Sequence, residues 1–590
     1  MQTHFIVPGL VLVCLILGIF HVPYVFLLAV CIGLFKIVTK SYEEIREGRY
    51  SLDYVAFLAM VVSIVSHEYL AGGVIALMYT GGEALEAFAN GRAYAALKSL
   101  GDTIPKYCLV ATGPAGDGGY DSVAIQEVED GDRVLIKRGE IVPLDGTVVS
   151  TGGAVLSMAN LTGESDPVSL KKGTFVKSGA VNAGESFDLD VVGDFSSSTY
   201  HKIAQLVEEA KANPAPLVRM SSRANAYFTF ATFLFAGIAY VVSDEITRAL
   251  AVLVIATPCP LIIAAPAAFI GGMSRLARSG IILRKSAAFE GLQKAKKIFF
   301  DKTGTLTMGE PSLRQVHLLH HQLKDEAEAL AIAAAIEIHS LHPLAQALVV
   351  EARRRGVEYT PALNVAEKIG EGISGEISGQ VFSLKRASAI DDEDTSGIIL
   401  ALSANGVELA HFIFADELKA GVGTLFSNLS ARGAEIEIIT GDSKANAEAV
   451  FAGFGVTVRA NVSPEDKYRL VEAAHKQGQG VVMIGDGLND APALARADVG
   501  VVFSGSENGA SIEVSDVVIL DHRIEKLDEL FAAAEKTVRV ARQSIYGGIA
   551  LSVIGMAFAA FGYIPPVTGA FIQEGIDIIV ILNALRTLRA

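Results

Sequence analysis

The sequence predicts a multi-domain membrane protein: a bundle of transmembrane helices, a small β-rich domain, and a larger α/β domain that holds an inserted α+β segment. Three observations predict it. Apolar runs of membrane-span length cluster at three places instead of spreading evenly along the chain. Between the first two clusters lies a polar stretch of alternating, Gly-punctuated segments. Between the second and third, the apolar stretch Ile298-Phe299-Phe300 ends abruptly in Asp301 and a Gly-containing turn, and further strand-like runs ending in carboxylates follow it.

Composition agrees. Of 590 residues, 51% are hydrophobic, only 19% are charged and none is Trp, which is apolar for a soluble enzyme of this length. A net charge of −16 argues against a nucleic-acid partner. Cys14, Cys31, Cys108 and Cys259 are scattered, with no Cys-x-x-Cys pair. That excludes, by pattern, a disulfide framework and a thiol-rich metal-binding domain.

The first apolar run, Phe5 to Val38, is nearly charge-free and is broken at His21-Val22-Pro23. As a single helix it would measure about 51 Å against a hydrocarbon core of about 30 Å, so it reads as a hairpin of two short spans. No Lys or Arg precedes it and no small-residue cleavage site ends it, which sets aside a signal peptide. Leu52 to Ser66 and Tyr69 to Phe88 form a second hairpin around His67-Glu68. Tyr227 to Val242 and Ala249 to Ile270 follow, then Ile545 to Gly562 and Val567 to Leu585. Eight spans are expected.

Lys36, Lys40, Arg46 and Arg49 lie between spans two and three, Arg92 and Lys98 follow span four, and Arg275, Arg278, Arg284 and Lys285 follow span six. Arg586 and Arg589 follow span eight, and the opposite loops hold little beyond Arg248. The positive-inside rule therefore places both polar regions and both termini in the cytoplasm, and a plasma-membrane location is expected. The expected boundaries are 1–88 for helices one to four, 89–222 for the β-rich domain and 223–272 for helices five and six. Residues 273–311 with 413–543 form the α/β domain, 312–412 the insertion, and 544–590 helices seven and eight.

Each region carries chemistry. An Asp at the carboxyl end of a strand sits in the crevice where α/β sheets bind ligands, and there it can attack phosphate. Ile436-Glu437-Ile438-Ile439-Thr440-Gly441-Asp442 is another strand ending in a hydroxyl and a carboxylate, and Lys467 offers a cation. Val481 to Ile484 runs into Gly485-Asp486-Gly487-Leu488-Asn489-Asp490. Such oxygens suit Mg²⁺ and phosphoryl transfer. In span six, Thr257-Pro258-Cys259-Pro260 has two prolines flanking a thiol, so the helix must unwind there. Irregular backbone at membrane depth is tolerated where it lines a cavity, and Cys259 is a soft ligand. Span eight holds Gln573-Glu574-Gly575-Ile576-Asp577. Carboxylates inside an apolar helix are costly and functional by default, and Glu574 and Asp577, three apart, are expected to share a face.

These motifs, in this order, resemble those of P-type ATPases, from about residue 50 onward. Asp301-Lys302-Thr303-Gly304-Thr305-Leu306-Thr307 matches the family's phosphorylation signature letter for letter, and Gly485 to Asp490 matches a second. The resemblance implies a haloacid-dehalogenase-type phosphorylation domain in which Asp301, Lys302, Thr303, Thr440, Asp442, Lys467, Asn489 and Asp490 are catalytic, with Mg²⁺ at Asp301, Thr303 and Asp486. Thr303 stands where related phosphatases carry a general acid. Thr162-Gly163-Glu164 resembles the dephosphorylation loop of the family's actuator domain, which implies that Glu164 positions the hydrolytic water. Glu337, His342-Pro343 and Gly370-Glu371-Gly372 resemble the nucleotide-binding signatures of the heavy-metal, type IB, branch and imply ATP binding by the insertion. The usual Gly-Asn that follows is missing, and Lys385-Arg386 lies near its place.

Cys259 between two prolines resembles the type IB translocation motif. The resemblance implies a transported ion at Cys259 and Glu574, with Gln573 and Asp577 as candidate further ligands. Thr-Pro-Cys with Gln-Glu-Gly is similar to the Thr-Pro-Cys and Ser-Pro-Cys divalent branches, so a pump exporting a divalent Ni, Co, Fe or Zn-class ion, acting as a monomer, is expected. The alternatives are a type IB pump for Cu or for Zn and Cd, a membrane-bound phosphohydrolase without transport, and a non-enzymatic metal sensor.

Overall fold

The computed structural model describes residues 6–20, 24–46, 54–82, 84, 105–112, 119–157, 167–196, 198, 201, 205, 216–256, 259–340, 342–368, 372–387, 398–442, 444–485, 490–503 and 514–589, with backbone alone at 43–45, 219–226, 259–263, 309–310 and 445–446. The chain forms two units, Met1–Gln293 with Leu530–Ala590, and Lys294–Glu529.

The first unit contains the apolar helices. Three of those described are long and apolar enough to cross a membrane: Tyr24–Tyr42, Glu525–Ala560 and Pro566–Leu588. Ile6–Ile19, Tyr54–Val65, Tyr69–Gly82, Tyr227–Ser243 and Ile246–Ile255 are apolar but shorter. The expected seventh span differs from its sequence reading, because its helix runs unbroken from Glu525. The sixth is divided where its sequence reading expected. It is two helices, Ile246–Ile255 and Cys259–Arg278, because Pro258 and Pro260 cannot supply backbone donors at the junction. Leu250 to Ile255 is buried on every side, as an all-apolar helix at the centre of a bundle must be. It packs with Val30, Met60, Ile75 and Ala570 in one core.

The same unit holds an antiparallel six-stranded sheet in the order Tyr120–Ala124, Tyr107–Ala111, Arg133–Ile136, Phe187–Val191, Gly146–Val148, Phe175–Val176. A three-stranded sheet places Ala154–Ser157 between Val168–Leu170 and Val181–Asn182. Alternating burial in Phe187–Val191 shows one face on a core and one toward water.

The second unit is built on a parallel sheet. Its strands run Val517–Ile519, Val499–Phe503, Val481–Gly485, Lys297–Asp301, Glu435–Ile439, Thr457–Arg459. Lys297–Asp301 pairs with Glu435–Ile439 on one side and Val481–Gly485 on the other, so the chain order reverses at this strand. Ligands bind at such switch points, outside the carboxyl ends of the strands. Four of these strands are buried at every residue, which explains their continuous apolar runs. Buried Glu437 is satisfied by Lys297 and Arg459.

A six-stranded antiparallel sheet is inserted after Asp301, in the order Thr307–Leu318, Val407–Leu418, Ile398–Ala404, Gln380–Arg386, Gly372–Ile377, Leu363–Lys368. Helices Glu326–Glu337 and Pro343–Arg354 cover one face, burying Leu330, Leu348, Leu402 and Phe412 among others. Pro311 opposes Asp416, so the outgoing and returning strands lie side by side, and both run through the boundaries expected at 312 and 412.

Candidate phosphoryl-transfer and transport sites

Asp301 ends the central strand and is buried. The chain then turns tightly, and Gly304 adopts a φ of 72°, a left-handed conformation that favours glycine. Thr307 closes the turn. Its hydroxyl donates to Asp416 Oδ2 at 2.6 Å and accepts from the Gly304 N–H at 3.3 Å. Lys419, just beyond the returning strand, donates through Nζ to the Gly304 carbonyl at 2.7 Å and lies 4.7 Å from the Phe503 ring centroid.

Lys467, near the N-terminus of helix Pro464–Lys476, is paired with Asp301 and donates to Asp490 Oδ1 at 2.8 Å. All three side chains are buried. Burial works against the ammonium, but the two carboxylates outweigh it and hold its pKa above the ordinary lysine value. A permanent cation therefore sits beside the strand-end carboxylate, where phosphoryl charge would be received. Lys302 is paired with Asp442, whose N–H donates to Thr440 Oγ1 at 3.2 Å. Thr303 is exposed, and Thr440 is buried.

In the inserted sheet, His342 caps helix Pro343–Arg354 by accepting the Leu344 N–H at Nδ1, 3.2 Å away. An Nδ1 acceptor leaves its proton on Nε2. Ser340 donates to Glu367 Oε1 at 2.9 Å and accepts the His342 N–H at 3.2 Å. Burial first, and then the Glu367 charge, push the Glu337 carboxyl up to about 7. Glu367 opposes Ile373 and Lys368 opposes Gly372 in the adjoining strands, which brings the glycine to the same edge. Gly372 has a φ of 117°, and a Cβ there would meet the Leu384 carbonyl at 2.2 Å and Lys385 Cγ at 3.0 Å. Only glycine fits.

In the bundle, helix Pro566–Ala584 spans both halves of the broken helix. A Cβ on Gly569 would lie 2.9 Å from Ile255 at the end of the first half, while Ile576 and Val580 cluster with Ala264 in the second. Gln573 falls between these contacts. It is fully buried, donates to Asp577 Oδ1 at 2.9 Å, and lies 3.4 Å from the hydroxyl of Ser552. Glu574 instead lines an apolar cleft of about 590 Å³ with Pro8, Val74, Leu77, Met78 and Phe571. Glu574 and Asp577, about 60° apart at roughly 100° per residue, lie on adjoining sides of this helix. At about 100° per residue, Gln573 and Asp577 lie only about 40° apart, and they form the pair.

Residues 295–498 match the haloacid dehalogenase-like hydrolase family, and residues 104–208 match the P-type ATPase actuator domain. The whole chain is similar to a solved zinc-transporting PIB-type ATPase in an E2.Pi state, with a TM-score of 0.67, 27% identity and 100% of both chains covered. It is 29% identical to the cadmium, zinc and cobalt-transporting ATPase of Bacillus subtilis, over 94% of this chain and 81% of that one. It is 30% identical to the copper-exporting P-type ATPase of Legionella pneumophila, over 89% of this chain and 75% of that one. This chain is a heavy-metal P-type ATPase of type IB.

In this P-type ATPase the structure brings Asp301, Lys467 and Asp490 together, and separately Lys302, Thr440 and Asp442. Thr162, Gly163, Glu164, Gly370, Asp486 and Asn489 lie outside the described residues, as does the Cys259 side chain. Three contributors escaped sequence reading. Asp416 and Lys419 brace the loop after Asp301 from 109 and 115 residues further along the chain. Glu367 stands beside Glu337 and Ser340. A polar residue following an apolar strand is too common a pattern to single out either Asp416 or Lys419.

Proposed function

We propose that this heavy-metal ATPase exports a divalent transition metal of the Ni, Co, Fe or Zn class from the cytoplasm. The observation that carries the reading is the donor set beside the interrupted helix. One thiol, Cys259, begins the second half-helix, while the neighbouring helix supplies Gln573 and Asp577 on its buried face and Glu574 on its cleft face. A single soft thiolate among hard oxygens suits a borderline divalent ion better than Cu⁺. Zinc and cadmium form the second reading, favoured by the names of the Bacillus subtilis and PIB-type relatives. Among the described residues, three apolar helices of membrane-crossing length and five shorter ones support the reading of eight spans. The cations following spans two, four, six and eight support cytoplasmic catalytic domains.

Asp301 attacks the γ-phosphorus of ATP in line. Its bond to the β,γ-bridging oxygen breaks, and ADP leaves with an aspartyl phosphate remaining. Lys467 neutralises charge at the receiving carboxylate without giving up its proton. The hard oxygens of Asp301, Thr303 and Asp486 are the residues that would hold Mg²⁺, which would supply charge neutralisation for the transfer. Thr303 provides no acid, so the acyl phosphate persists until Glu164 orients a water against it. A persistent intermediate is what couples hydrolysis to transport.

The deciding experiment measures ATP turnover of the purified protein with Mn²⁺, Fe²⁺, Co²⁺, Ni²⁺, Cu⁺ and Zn²⁺. Selective stimulation by divalent ions is expected. Turnover indifferent to every ion would support a phosphohydrolase, and selective Cu⁺ stimulation would overturn the divalent assignment.

A further inference from the structure

Gly271 and Gly272 sit in helix Cys259–Arg278 where neighbouring elements come closest. A Cβ at Gly271 would meet Thr587 Oγ1 at 2.3 Å, and one at Gly272 would meet Thr537 Oγ1 at 2.3 Å. The glycine pair lets helix Glu525–Ala560 and the short turn Leu585–Leu588 close onto this helix. About one turn further on, the same approach gathers cations.

Arg278 donates through Nη2 to the Leu588 carbonyl at 3.2 Å, and Lys536 donates through Nζ to the Arg589 carbonyl at 2.8 Å. Arg586 donates through Nη1 to Asn583 Oδ1 at 2.9 Å. The charges acting on Lys536 are the guanidinium groups of Arg275 and Arg586, both positive. Nearby Arg539 has its own acid, Glu535. Among the described residues, no carboxylate forms an ion pair with Arg275, Arg278, Lys536, Arg586 or Arg589. Neutral carbonyls and an amide orient these groups while leaving their charge uncancelled, in a chain whose net charge is −16. Gathering like charges costs free energy unless an anion joins them.

Arg275 and Lys536 are half-buried, whereas Arg278, Arg586 and Arg589 are exposed, so a floor of cations is ringed by an accessible rim. Guanidinium forks match phosphate oxygens in pairs. The positive-inside orientation puts this end of the bundle at the cytoplasmic leaflet, where head groups are anionic. We infer that Arg275, Lys536 and Arg586, rimmed by Arg278 and Arg589, bind the phosphate of an anionic phospholipid head group from that leaflet. The inference rests on the membrane orientation and is independent of the transported ion.

The test uses the full-length protein in nanodiscs of phosphatidylcholine with phosphatidylglycerol. Lipid retained after transfer to detergent is identified by native mass spectrometry, without ATP or metal. Selective retention of phosphatidylglycerol is expected. It should weaken about fivefold per charge removed, on the order of a hundredfold in the triple variant Arg275→Gln, Lys536→Gln, Arg586→Gln. The double variant Arg275→Lys, Arg586→Lys keeps the charge and should retain the lipid. Equal retention of both lipids, or undiminished phosphatidylglycerol in the triple variant, overturns the site. Displacement of the lipid by an equal concentration of inorganic phosphate would assign a soluble anion instead and overturn the lipid assignment. If the triple variant does not fold, a photoreactive phosphatidylglycerol decides with wild-type protein. Crosslinks within 271–278, 532–543 or 583–589 support the site, and labelling confined to other segments overturns it.

Discussion

Lys467 donates to Asp301 from 166 positions away in the sequence. The same ammonium holds Asp490 at 2.8 Å, so one cation satisfies two buried carboxylates. Removing it takes the ammonium away from both carboxylates at once.

Lys467→Gln is therefore expected to slow phosphorylation of Asp301 by about a hundred- to a thousandfold, the usual effect of deleting one preorganised electrostatic contact. Rapid-quench measurement of acid-stable phosphoprotein from radiolabelled ATP reads this directly. A phosphorylation rate within a few fold of wild type would mean that Lys467 is structural. Glu164→Gln should do the opposite and let phosphoprotein accumulate, because the fault then lies in hydrolysis.

Glu337 is raised from an ordinary 4.5 to about 7, first by burial and then by Glu367. A raised acid contributes stability that is complete below 4.5 and is lost as pH climbs to about 7, because ionising it in place is costly. The melting temperature of the wild type should fall across that interval, and Glu337→Gln should flatten the fall. ATP affinity should weaken over the same window, since the new charge faces an anionic ligand. Identical pH profiles for the two proteins would refute the assignment.

Gly372→Ala and Gly379→Ala form a matched pair. Both positions have left-handed φ, 117° and 82°, but only at Gly372 would the added methyl meet a backbone oxygen, at 2.2 Å. Strain alone costs about 1–3 kcal/mol. Gly372→Ala should therefore weaken nucleotide binding well beyond Gly379→Ala, as judged by titration with a non-hydrolysable ATP analogue. Equal affinities would show that the glycine edge does not touch the nucleotide.

Cys259→Ser, Glu574→Ala and Asp577→Ala should each abolish metal stimulation while leaving phosphorylation of Asp301 by inorganic phosphate intact, since the reverse reaction needs an empty transport site. Asp577→Ala should also lower stability by about 1–3 kcal/mol, because a buried hydrogen bond to the Gln573 amide is lost. Metal-stimulated turnover with unchanged selectivity in any of the three would remove that residue from the site.

The strand and turn around Asp301 were legible because their local backbone limits leave little choice. Ile298 to Phe300 must be a buried strand, Gly304 must turn, and Asp301 must then stand at a strand end. The interruption of the sixth span was legible for a similar local reason, since Pro258 and Pro260 lack the donors a continuous helix needs. What the span-eight residues do was only half legible. Periodicity identified Gln573, Glu574 and Asp577 as a polar group, but it could not say which two would be buried as a hydrogen-bonded pair.

By itself the sequence determined that a buried strand ends at Asp301 and that the sixth apolar run is divided, because each depends on a few neighbouring residues and their backbone limits. Tertiary structure decided the partners. Gly569, Ile576 and Val580 set the rotation of the last helix by packing on both halves of the broken one, which buries Gln573 with Asp577 and leaves Glu574 to the cleft. Lys467 reaches Asp301 from the first turns of a helix packed on the sheet, and Asp416 and Lys419 reach its loop because Val407–Leu418 pairs with Thr307–Leu318. Those pairings arise from strand order and close packing, and no window of adjacent residues contains them.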